Sequence, residues 1–143
     1  MILLSPVARS LGIFQPYVPI SVPMGMGYVA GYLEQQGEPL VVYDEEVDDK
    51  PFDEQRLGEL VAREKAAPPY VFGFSCVTAG QHRAENMARM IRVKYPDSLI
   101  VFGGVHPTLV PEDVLEHAPT DVVVLGQGEQ TMQEVLVAFR EKG

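Results

Sequence analysis

The apolar positions of this chain fall into two alternating patterns. Five short runs are apolar at nearly every position: residues 2–4, 40–43, 70–74, 99–102 and 122–125. A strand with solvent on one side alternates apolar and polar residues, whereas one covered on both faces is apolar throughout. These runs therefore predict a parallel sheet between two layers of helices. Between them, apolar residues recur at three- and four-residue spacing. The sets are Met26, Val29, Ala30 and Leu33; Leu57, Leu60 and Val61; Ala84, Met87, Ala88 and Ile91; and Met132, Val135, Leu136 and Phe139. Each forms one apolar stripe along a helix. Gly37 and Pro96 suit helix stops. Pro111 suits the first turn of a shorter helix running through Val114 and Leu115.

Strand and helix alternate along the whole chain, and short right-handed crossovers then leave few topologies. The expected fold is α/β: a three-layer, five-stranded parallel doubly wound sheet of flavodoxin-like order 2-1-3-4-5. No internal repeat or linker divides it, so residues 1–143 are expected to form a single domain, a length sufficient for one core. Residues 6–23, punctuated by Pro6, Pro16, Pro19 and Pro23, are too long for a passive turn.

Charge and cysteine content narrow the chemistry. Eleven Lys+Arg against twenty Asp+Glu give a net charge of −9, the wrong sign for a nucleic acid backbone or an anionic membrane. The start lacks a secretory pattern and no apolar stretch approaches membrane-spanning length, so a cytoplasmic location is expected. Cys76 is the single cysteine. It excludes an internal disulfide, a cysteine zinc site and an iron–sulfur cluster held by this chain alone.

In an open α/β sheet, ligands bind outside the carboxyl ends of the strands. Those places hold Ser75, Cys76, Val77 and Thr78 after the third strand. The fourth is followed by Gly103, Gly104, Val105, His106, Pro107 and Thr108, and the fifth by Gly126, Gln127, Gly128 and Glu129. Glycines at two strand ends let the backbone approach a bulky ligand, or simply form the turns. Ser75 and Thr78 offer hydroxyls to a ligand, or cap the next helix. The glycines at 25, 27 and 31 tempt toward a dinucleotide site with Asp44 as ribose partner, but their spacing is GxGxxxG and a long loop separates them from the first strand. Close packing of the first helix on the sheet is the expected role. A phospho-acceptor domain would need carboxylates after strands one and three and a lysine after strand five. Ser5-Pro6, Ser75 and Gly126-Gln127 stand there instead.

Four ordered segments carry a resemblance. Residues 23–33 (PMGMGYVAGYL), 71–78 (VFGFSCVT), 101–108 (VFGGVHPT) and 121–131 (DVVVLGQGEQT) resemble the cobalamin-binding domain of cobalamin-dependent radical S-adenosylmethionine enzymes. The anaerobic magnesium-protoporphyrin IX monomethyl ester oxidative cyclase is one such enzyme. Gln127 departs from the family's usual Glu. The resemblance implies a cobalamin held over the carboxyl edge of the sheet with its nucleotide tail directed down between strand ends. The implied cofactor-binding residues are Ser75, Val77, Thr78, Gly103, Gly104, His106, Thr108, Gly126, Gly128 and Glu129, with no catalytic residue and no metal-ligating residue. The histidine motif of the methionine synthase branch is absent, and residues 6–23 contain no histidine, so that ligand cannot come from there. Of the three histidines, His117 suits the surface and His82 opens the third helix on the ligand side. His106 is best placed, but it belongs to a family pattern that often binds cobalamin without a histidine ligand, so no protein ligand to cobalt is expected.

The radical domain's cysteine motif is absent too. The expectation is a non-catalytic cobalamin module, the N-terminal part of a longer methyltransferase or cyclase whose S-adenosylmethionine and [4Fe-4S] cluster are bound by a radical domain outside this chain. The alternatives are a free-standing corrinoid carrier, or a flavodoxin-like domain for another nucleotide-type ligand.

Overall fold

A computed structural model describes residues 1–8 and 22–142. The expectation placed on the loop at 6–23 lies mostly outside the described residues. In chain order the elements are β1 (Ile2–Ser5), α1 (Met24–Gln35), β2 (Val41–Asp44), α2 (Glu54–Arg63), β3 (Val71–Ser75), a 3₁₀ turn (Thr78–Gly80) and α3 (Gln81–Lys94). They continue with β4 (Leu99–Gly103), α4 (Val105–Leu109), α5 (Pro111–His117), β5 (Val122–Val123) and α6 (Glu129–Lys142). The strands form one all-parallel sheet of order β2-β1-β3-β4-β5, as the apolar runs predict.

Because successive side chains point to opposite faces, each strand feeds two cores. Ile2, Leu4, Tyr43, Phe72, Phe74, Ile100 and Phe102 bury one face against α2, α3 and α5. Phe74 stacks on Phe102 with ring centroids 4.7 Å apart. Leu3, Val71, Val101 and Val124 bury the other face against Met26 and Leu33 of α1 and Met132 and Leu136 of α6.

Helix ends follow the sequence. α1 stops in a left-handed Gly37 (φ +79), where Glu38 N–H reaches the Leu33 carbonyl and Gly37 N–H reaches that of Glu34, so the last carbonyls are paired. α1 and α6 lie side by side, joined by the Tyr32 hydroxyl donating to Gln133 Oε1 at 3.0 Å. Two details differ from the sequence expectation. β5 is two residues long instead of four, with Val124 N–H still reaching the Phe102 carbonyl at 2.8 Å before the left-handed Gly126 (φ +66). A five-residue helix, α4, also precedes α5. No described helix is long and apolar enough to cross a membrane.

Candidate functional site

Parallel register sets the floor of a crevice. Leu3 of β1, Gly73 of β3 and Val101 of β4 lie in one row across the sheet, and Ser75 pairs with Gly103 two residues further on, on the same face. Above these rows, α1 and α6 leave a crevice of about 280 Å³ that includes the carboxyl ends of β3 and β4. Gly25, Tyr28 and Val29 of α1 form one wall. Gly128, Glu129 and Met132 form the other, with Val124, Gly126 and Gln127 closing the β5 side. The position is the switch point of the strand order, beside β1, where this topology puts its ligands. The lining is mainly apolar, with polar side chains from Ser75, Gln127 and Glu129.

Of the residues singled out from sequence, Ser75, Gly103, Gly104, Gly126, Gly128 and Glu129 line this crevice, and Val77, Thr78, His106 and Thr108 stand outside its lining. Sequence reasoning missed Leu3, Gly73 and Val101, because it looked only at strand ends, and Gly25, Tyr28 and Val29, because it gave the first helix a packing role. That role is corrected by the structure. A Cβ added at Gly25, Gly27 or Gly31 would meet nothing within 4 Å, so these glycines do not seat the helix on the sheet. Gly25 instead borders open crevice.

The two glycines after β4 do different work. At Gly103 a Cβ would make only ordinary contacts, the nearest at 3.7 Å to the Val124 carbonyl oxygen, so no protein neighbour demands glycine there. At Gly104 φ is +103, and a Cβ would sit 2.7 Å from the Cys76 carbonyl oxygen and 2.8 Å from its nitrogen. Gly104 is thus required by the turn itself. The Cys76 backbone is the hub of that turn: its N–H donates to the Gly103 carbonyl at 2.9 Å, and its carbonyl accepts from His106 N–H at 3.1 Å. The Cys76 side chain is buried, and burial pushes its thiol pKa upward.

Neither Ser75 nor Thr78 caps a helix. The 3₁₀ turn and α3 begin at Val77 and Gly80 without a side-chain cap. Thr78 Oγ1 lies 3.3 Å from His106 Nδ1, whereas His106 Nε2, with Asp113 Oδ2 3.7 Å away, is buried without a hydrogen-bond partner. His82 is 86% exposed on α3, and His117 lies at the exposed end of α5. Asp121, in the last resembling segment, works at the opposite edge of the sheet, accepting from Ile100 N–H at 2.8 Å and from Arg92 at 2.6 Å.

A charged clamp braces the carboxyl edge. Glu45, just after β2, accepts from Arg83 of α3 at 2.5 Å and from the N–H groups of Val7 at 3.0 Å and Phe52 at 3.4 Å. Burial pushes the Glu45 carboxyl up, but Arg83 and the two N–H donors outweigh it, and its pKa lies below the ordinary value. No group of three or more acidic, histidine or cysteine residues that could hold a metal ion occurs among the described residues.

The chain matches known proteins over most of its length. The B12 binding domain family matches residues 14–136. The anaerobic magnesium-protoporphyrin IX monomethyl ester cyclase of Rubrivivax gelatinosus is 34% identical over 119 residues, covering 81% of this chain and 20% of that protein. The cobalamin-dependent radical SAM methyltransferase TokK of Streptomyces tokunonensis is 29% identical over 119 residues, covering 80% of this chain and 16% of that protein. The chain thus spans a fifth or less of these relatives' lengths. In fold it is similar to the cobalamin-dependent S-adenosylmethionine radical enzyme OxsB with aqua-cobalamin bound, at a TM-score of 0.70 and 19% identity over 99% of this chain and 19% of that one.

The crevice fits such a cofactor in one respect that can be read from its shape. Ligand pockets for whole drug-sized molecules run from about 300 to 1,000 Å³. At about 280 Å³ this one is too small for a corrin ring but has room for a projecting aromatic base and sugar, with open space at Gly25 and Gly126 where any side chain would intrude. From the match over residues 14–136, the chain belongs to the B12 binding domain family, with cobalamin as its cofactor.

Proposed function

We propose that the crevice takes the nucleotide tail of cobalamin and that the corrin ring rests on the carboxyl edge above it. The observation that carries this reading is the crevice lined by Leu3, Gly73 and Val101, which ends in the small residues Ser75 and Gly103. A flat base entering there would lie against Val29, Val124 and Met132, with Ser75, Gln127 and Glu129 available to hydroxyls. Outside the slot, Val22, Met24, Val77, Val105, Leu109 and Leu125 are exposed apolar residues on the segments that flank the edge. They supply an apolar rim for the ring.

Residues 1–143 then act as one cobalamin-holding domain. We place it as the N-terminal module of a longer radical S-adenosylmethionine methyltransferase or oxidative cyclase, with S-adenosylmethionine and a [4Fe-4S] cluster on a neighbouring radical domain. Bound cobalamin supplies the methyl-transfer or radical chemistry. This chain's residues bind and orient: the slot fixes the tail, and the rim leaves the ring's far face to the partner domain. Val77, Thr78, His106 and Thr108 shape the loops beneath the ring. Residues 6–23, which follow β1, contain no histidine, and the reading is cobalt without a protein imidazole. A cytoplasmic location and no nucleic acid partner complete the reading.

Gel filtration after incubation with hydroxocobalamin, with a visible spectrum of the protein fraction, tests it. One equivalent of retained corrinoid is expected; none under either oxidising or reducing conditions overturns it.

A further inference from the structure

Thr108 lies in α4, outside the crevice lining, yet its hydroxyl is engaged twice. Oγ1 donates to the Gly104 carbonyl at 2.7 Å and accepts from Gly126 N–H at 3.0 Å. The first bond is the common return of a helical threonine to the carbonyl four residues back and calls for no special explanation. The second joins the β4 turn to the loop after β5.

That loop is tied at its two ends, by Val124 N–H to the Phe102 carbonyl and by Met132 N–H to the Gly128 carbonyl, both at 2.8 Å, and the Thr108 bond falls between them. β5 pairs with β4 through only two residues, and the segment that follows contains two glycines, one of them in the left-handed region at φ +66. Glycine loses the most conformational freedom on ordering, so a short glycine segment needs external ties to keep one shape. The anchor, by contrast, is rigid. Gly104 sits against the Cys76 backbone with no space for a Cβ, and His106 N–H is bonded to the Cys76 carbonyl. A hydroxyl offers one donor and two acceptor sites, and here it uses both kinds between a fixed turn and a pliable one.

We propose that Thr108 is a positioning residue whose hydroxyl ties the 126–128 loop to the Cys76–Gly104 turn, thereby setting the α6-side wall of the cobalamin crevice without touching the cofactor. The inference rests on the reading of the crevice given above. It revises the role expected from sequence, in which Thr108 was a contact residue.

The test uses the 143-residue chain, Thr108→Val and Thr108→Ser, with two readouts: exchange of the Gly126 amide hydrogen without ligand, and the dissociation constant for hydroxocobalamin. Valine keeps the shape and removes the hydroxyl; serine keeps the hydroxyl. In Thr108→Val the Gly126 amide is expected to exchange faster and affinity to fall on the order of tenfold, the size that one or two lost hydrogen bonds produce. Thr108→Ser is expected to restore both. Unchanged exchange in Thr108→Val overturns the proposal, as does faster exchange with unchanged affinity. Lost affinity without faster exchange also overturns it, because the hydroxyl would then contact the cofactor directly. If the wild-type chain binds no cobalamin while Gly126 exchange still responds to Thr108→Val, the failure lies with the reading of the crevice and takes the ligand half of this proposal with it.

Discussion

Gly104→Ala separates a structural glycine from a ligand-passing one. From the sequence, a branched residue at Gly104 is expected to block a ligand tail while leaving folding cooperative. The structure assigns it a different consequence. Its backbone (φ +103, ψ −166) lies in a region that only glycine occupies readily, so a side chain there costs about 1–3 kcal/mol in strain. The added Cβ would also stand 2.7 Å from the Cys76 carbonyl oxygen, and backbone, unlike a side-chain tip, has little room to yield. Overpacking of this kind adds about 1–3 kcal/mol. Together these amount to about 2–6 kcal/mol, a large share of the roughly 5–15 kcal/mol that holds a domain folded. In urea, with a slope of about 2 kcal/mol per M, the midpoint is expected to fall by roughly 1–3 M at unchanged slope. A shift below about 0.3 M would refute the reasoning, since neither strain nor contact would then be present. Loss of cobalamin in this variant would report the fold and not the path of the tail.

Three further outcomes are expected. Gly25→Leu places a side chain in open crevice on a helix that gains up to about 1 kcal/mol from losing glycine, so thermal stability should hold or rise while hydroxocobalamin affinity falls at least tenfold; unaltered affinity in a titration would remove Gly25 from the site. The Glu45 carboxyl is held below its ordinary pKa, so it contributes stability that is present above the unfolded value near 4.3 and lost as pH falls through the lower folded value. Urea midpoints from pH 7 to 3 should therefore drop less steeply in Glu45→Gln than in wild type, and parallel curves would contradict the clamp. Electron paramagnetic resonance of the cobalt(II) form should be the same in wild type and His106→Ala, as expected for cobalt without a protein imidazole and for a ring whose Nδ1 is paired with the Thr78 hydroxyl; a nitrogen triplet lost in the variant would make His106 a ligand.

Much of the fold was legible because the apolar pattern and the topology enforce one another. Continuous runs such as residues 70–74 suit strands covered on both faces, the helical spacing between them supplies the covering layers, and Ala84, Met87, Ala88 and Ile91 are all buried as that spacing requires. α4 was not legible, since five residues with an internal Pro107 are too few to show a helical period. The glycine clusters marked the right edge of the sheet but not their separate tasks. What distinguishes Gly103, Gly104 and Gly25 is the distance from an absent Cβ to its neighbours, 3.7 Å, 2.7 Å and nothing within 4 Å, and that depends on chain segments remote in sequence. Gly73 did carry a signal, because a lone glycine inside an apolar strand marks a close approach on one face, here by the Met1 and Leu3 side chains, 2.7 and 2.9 Å from where a Cβ would stand.

The most direct measurement compares cobalamin with cobinamide, the same corrin without its nucleotide tail, in titrations of one protein preparation. A base of aromatic side-chain size buries about 150–250 Å². At about 25 cal/mol per Å² this is several kcal/mol before ordering costs, so cobinamide is expected to bind at least tenfold more weakly. Gly25→Leu should weaken cobalamin and leave cobinamide unchanged. Equal affinity for the two corrinoids in the wild-type chain would contradict a tail seated in the crevice.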